Sequence, residues 1–144
     1  MKFVNRTAIG LATLLLSAAA VPAFAGTVTV QIQNATTTPV TITGGGGTIP
    51  GSAAAGSTVQ GQVMTTPGLP QQGVLTVKNA ANTKACSFDW SRQGQAQVGG
   101  PMCNNTYNPT GIPLNVTTQC TGMHVSGTIT PSPSCNGTIK FKIQ

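Results

Sequence analysis

Glutamate is absent from this chain, and Asp89 is its only acidic residue. A glycosidase-type pair of carboxylates therefore cannot be assembled from it. His124 is the only histidine, so the sole hydrolytic triad on offer is Asp89, His124 and some serine. No Gly-x-Ser-x-Gly elbow accompanies it, and alternation in Met123-His124-Val125 sets His124 opposite two apolar neighbours, on the expected solvent face. Asp89, between Phe88 and Trp90, reads the same way, as the outward residue of an alternating strand. We expect no enzyme, no cofactor and no metal.

Close cysteine pairs are missing too. Zinc sites in short chains take cysteines about two to four residues apart, and exchangeable redox bridges use Cys-x-x-Cys. Cys86, Cys103, Cys120 and Cys135 are all much farther apart. Clustered cations are equally scarce. The pI of about 9.6 arises from the shortage of acids, since Lys78, Lys84, Arg92, Lys140 and Lys142 are scattered, and nucleic-acid binding needs a concentrated basic surface. Charged residues make up only 6% of the chain against 39% hydrophobic, which is the opposite of a disordered composition.

What is present begins with the N-terminus. Lys2 and Arg6 precede an apolar stretch from Ala8 to Val21, and Ala23-Phe24-Ala25 supplies small residues at both positions read by a signal peptidase. The stretch is shorter than the roughly 20 residues that span a bilayer, and no later run is long enough to do so. We expect residues 1–25 to be a bacterial signal peptide, cleaved after Ala25. Residues 26–144 then form one exported domain, periplasmic, cell-surface or extracellular, with no membrane span. In an oxidising compartment the four cysteines become a two-disulfide framework. The preferred pairing is Cys86–Cys103 with Cys120–Cys135, because each closes a local loop, and each bridge contributes roughly 3 kcal/mol.

The mature region alternates with the period of half-buried strands. In Thr27-Val28-Thr29-Val30-Gln31-Ile32-Gln33, Val28, Val30 and Ile32 share one face. Val40–Thr43, Thr58–Met64, Val74–Lys78, Ala85–Trp90, Leu114–Gln119, Met123–Ile129 and Thr138–Ile143 are the further candidates. The expected fold is all-β, an antiparallel β-sandwich or flattened barrel of about seven or eight short strands. Four consecutive glycines, Gly44 to Gly47, start a segment to residue 57 that reads as a long flexible loop, since a phosphate cradle would need a following helix and a Lys at set spacing. Asn34-Ala35-Thr36, Asn104-Asn105-Thr106, Asn115-Val116-Thr117 and Asn136-Gly137-Thr138 match a glycan acceptor pattern, but in a bacterial exported chain rich in Thr and Asn they read as turn and strand-edge chemistry.

Two functions compete. The first is a non-enzymatic structural or surface-assembly protein of the bacterial envelope, self-associating or meeting an envelope partner through β-edges. Its support is residues 26–33, an alternating segment at the new N-terminus whose Val28, Val30 and Ile32 could pair outside their own domain. In that arrangement the chain is similar to donor-strand pilus subunits, although it carries no motif of that family. Docking at home, against Val40–Thr43 or Ile139–Ile143, is favoured over exchange because the Asn34–Pro39 link is short. The alternative function is a monomeric periplasmic or extracellular binding or inhibitor module, presenting the loops at 44–56 and 93–109 with Trp90 and Tyr107 as contact aromatics, although a core Trp90 and a loop Tyr107 are favoured over those roles.

Overall fold

The structure, a computed structural model, describes residues 26–65, 70–97, 100–126 and 136–144, with the side chains of 93–106, 124 and 126 outside that description. The expected signal segment, residues 1–25, and Cys135 therefore lie outside the described residues. The remainder is all β, in two sheets.

The first sheet has the order β4 (Thr58–Thr65), β1 (Gly26–Asn34), β10 (Gly137–Ile143), β9 (Cys120–Ser126). The second runs β3 (Ser52–Ala53), β2 (Val40–Gly44), β5 (Gln71–Asn79), β6 (Ala85–Gln97), β7 (Gly100–Tyr107), with β8 (Thr110–Pro113) also paired to β6. Most pairs are antiparallel as expected, but β1 and β10 are parallel. The described residues form ten strands where seven or eight are expected. The added ones are β3, β7 and β8. The expected strand at Leu114–Gln119 is absent, because Leu114 and Val116 face solvent and the segment folds over the β5–β6 turn through polar contacts. Asn115 donates to Asn82 O at 3.1 Å, and Thr117 to Thr83 O at 3.0 Å.

Alternation puts Val28, Val30 and Ile32 of β1 on one face, and all three are fully buried. They meet Ile139, Phe141 and Ile143 from β10 and Leu75, Val77, Phe88 and Trp90 from the second sheet in one core. Phe88 stacks on Phe141 with centroids 4.8 Å apart, joining the two layers. Burial of each such side chain stabilises the fold by roughly 1.5–3 kcal/mol.

The link after β1 is not a hairpin turn. It carries the chain from the first sheet to the second, and Asn34 anchors it. Fully buried, Asn34 donates through Nδ2 to the carbonyls of Thr38 (2.8 Å), Ala53 (3.2 Å) and Ala54 (3.0 Å), while its Oδ1 accepts from Thr36 N and Oγ1. Consequently β1 pairs with the C-terminal strand, one of its two expected partners, and with β4, while β2 lies in the other sheet. The buried amide also fits the turn-chemistry reading of the Asn34-Ala35-Thr36 triplet.

The glycine run is an ordered device. Gly44, Gly45, Gly46 and Gly47 all adopt left-handed backbone, with φ of 88°, 77°, 71° and 65°. This path lays Thr48 along the outer edge of β4, where Thr48 N donates to Gln62 O and Gln62 N donates to Thr48 Oγ1, both at 2.9 Å. A Cβ on Gly47 would fall 2.0 Å from Gln62 O. Glycine is thus needed for both conformation and approach, and part of an otherwise open sheet edge is covered.

The preferred cysteine pairing is corrected by a Cys86–Cys120 disulfide, with Cα atoms 5.9 Å apart. It joins the second residue of β6 to the first of β9, in different sheets. Both preferred bridges are thereby excluded, because each would use one of these two sulfurs. Cys86 is fully buried in the core, and Cys120 packs against it.

Candidate functional site

β6 is the longest strand among the described residues, and two different strands share its far edge. β8 pairs with it from Cys86 to Asp89, and β7 from Arg92 onward. Between them the chain steps out at Asn108-Pro109, where proline has no N–H to continue a ladder. Asn108 N still reaches Ser91 O at 3.2 Å. The step leaves a shallow groove of about 280 Å³ on the sheet, lined by Gln72, Gly73 and Val74 of β5, Asp89, Trp90 and Ser91 of β6, and Asn108 and Thr110.

Strand register explains this lining. Val74, Asp89 and Thr110 form one cross-strand row, and Gln72 pairs with Ser91 in the next. Their parity is opposite to that of buried Leu75 and Phe88, so they share the outer face. Beneath them, Gly73 leaves room for the indole: a Cβ there would sit 2.4 Å from Trp90 Nε1.

The electrostatics of the groove are set by Asp89. Its Oδ1 is buried yet has no hydrogen-bond partner among the described residues. Trp90 Nε1, in another residue bordering the groove, is also buried and unpartnered. Leaving such a group unsatisfied costs on the order of 1–3 kcal/mol, more when charged. Arg92 does not answer Asp89 from the outer face: it is 1% exposed on the inner side, donating to Gln71 Oε1 at 3.3 Å and to the Tyr107 hydroxyl. Burial raises the Tyr107 pKa above its ordinary value, with Arg92 partly opposing the shift.

Trp90 takes the core placement favoured for it, and Tyr107 takes neither the loop nor the contact placement. Trp90 and Tyr107 are 2% and 3% exposed and pack edge to face with centroids 6.1 Å apart. Neither is presented to solvent, and Tyr107 ends a strand instead of lying in a loop. The expected loop at 93–109 is largely the β6–β7 pair. Val28, Val30 and Ile32 lie in the interior of the first sheet.

Asp89 and His124 are carried by different sheets, on β6 and β9. The register aligns His124 with Ile139; its side chain is outside the described residues. Among the described residues no group of three His, Cys, Asp or Glu side chains is placed to hold a metal ion. The groove can offer a carboxylate, amides, hydroxyls and an apolar shelf at Val74, a combination suited to holding a polar ligand. Sequence reading missed it because alternation located Asp89 on the outer face without showing that Asn108 and Thr110 flank it.

No family model matches this chain. A comparison with curated proteins likewise finds no match.

Proposed function

We propose that the chain is an exported, non-enzymatic protein of the bacterial envelope whose two-sheet sandwich acts as a binding module through the groove around Asp89. The observation that carries this reading is the buried, unpartnered Asp89 Oδ1 beside a polar groove. A site that lowers its own stability in this way gains most when a ligand supplies the missing donor. The same reading includes cleavage after Ala25 and places the domain in the periplasm or outside the cell, with no nucleic-acid partner. The residues that follow this cut are held in the fold: Gly26 and Thr27 belong to β1, and Thr27 N donates to Asn136 Oδ1 at 2.9 Å.

It also includes a second bridge, Cys103–Cys135. Cys86 and Cys120 occupy each other. Tyr107, later in the same strand as Cys103, closes on Gly137, just after Cys135: a Cβ on Gly137 would be 2.1 Å from Tyr107 Cε2.

The test is retention of mature protein on isolated envelope fractions. Wild type and Gln31→Ala, on the other sheet, should be retained alike, whereas Val74→Arg should be lost. Equal retention of all three, or of none, would overturn the assignment of the groove.

Surface assembly is the second reading. It draws on β9, which ends the first sheet and exposes Met123 and Val125, an apolar edge able to receive another strand.

A further inference from the structure

The groove's chemistry can be taken one step further, resting on the reading that it is a binding site. We infer that its ligand is a neutral saccharide, held as a single ring or as one unit of a chain. A carboxylate accepts hydrogen bonds strongly and donates none, so Asp89 calls for a donor-rich partner. Around it stand groups that both donate and accept: the Gln72 and Asn108 amides and the Ser91 and Thr110 hydroxyls. Adjacent ring hydroxyls, each donor and acceptor, match that set. Val74, 58% exposed in the same lining, offers an apolar surface for ring C–H groups.

Other ligand classes fit less well. An anion would meet Asp89 with no cation among the lining residues. A divalent metal would find one carboxylate where oxygen-ligand sites normally use several. A large apolar ligand would bury amides and hydroxyls without partners. At about 280 Å³ the groove falls just below the volume range of drug-sized ligand pockets, in keeping with one sugar unit. With Trp90 buried, no aromatic platform is presented, so affinity for an isolated unit should be millimolar and a repeating polymer would gain by avidity.

The test is a titration of isotopically labelled mature protein, read by backbone amide shifts, with the methyl glycosides of glucose, galactose, mannose and N-acetylglucosamine. Methylammonium chloride and inorganic phosphate serve as contrasting probes. At least one glycoside should move the amides of Asp89, Ser91 and Thr110 in a saturating manner, and Asp89→Ala should weaken it about tenfold or more. If that variant does not fold, Thr110→Val tests the same contact set and should weaken binding several-fold.

Shifts by methylammonium or phosphate without any glycoside would leave the groove a binding site and overturn the saccharide. Glycoside binding unchanged in a folded groove variant would overturn it as well. Silence from every probe would overturn the saccharide; loss of envelope retention in Val74→Arg would then show that the groove itself still binds.

Discussion

Cys86, the second residue of β6, is bonded to Cys120, the first of β9, which ties the start of a strand in one sheet to the start of a strand in the other. The closed loop has a sequence separation of 34, which corresponds to about 4 kcal/mol in the chain-entropy description of cross-linking. Replacing both cysteines by alanine should lower the unfolding free energy by about 2–4 kcal/mol in denaturant titrations. A loss below about 0.5 kcal/mol would mean that the loop is closed as effectively without the bond.

Asn34 offers a second measure of how the sheets are connected. Its amide satisfies three carbonyls and receives two donors from Thr36. Asn34→Ala should cost about 2–4 kcal/mol, because one buried and three part-buried backbone groups lose their partner together. Asn34→Asp should also destabilise, since a carboxylate cannot donate to those carbonyls. Urea midpoints of the two variants check this.

Gly73 and Trp90 are coupled by space. The indole fills the position that a Cβ would need, and Trp90 is held from the other side by Tyr107. Gly73→Ala should therefore displace Trp90 and cost about 1–3 kcal/mol. A changed Trp90 fluorescence maximum with a lower midpoint is the expected signature; an unchanged spectrum and stability would show that the ring has room to move.

Tyr107 gives an alkaline dependence. Its folded pKa is raised above 10.0, chiefly by burial, so the unfolded chain ionises first as pH rises. Its contribution is intact below the unfolded value and is lost as pH climbs through the folded one. Wild-type stability should decline above about pH 10, and Tyr107→Phe should decline less steeply over the same window. Parallel curves would contradict the assignment.

The readable parts of this fold were those governed by local periodicity. Alternation in β1, β6 and β10 correctly separated Val28, Val30, Ile32, Phe88 and Phe141 from their outward neighbours. Pairing between distant elements was less accessible. The choice of Cys86 with Cys103 followed sequence proximity, whereas the actual bond follows the stacking of two sheets. Leu114 and Val116 alternate like a strand, yet tertiary hydrogen bonds to the 82–84 turn hold them outward. β7 escaped notice because Gly100 to Tyr107 lacks apolar alternation and is organised by β6. The groove belongs to this non-local class, since its far wall depends on the break between β7 and β8.

Whether the domain is complete in itself is decided by β1. Val28, Val30 and Ile32 fill the core between β4 and β10, so mature protein should be a self-sufficient monomer. Sedimentation velocity of mature protein from micromolar to millimolar concentration is the most direct test. A single species of monomer mass throughout is the expected result; concentration-dependent growth into dimers or longer chains would contradict a self-contained binding module and favour assembly through the sheet edges.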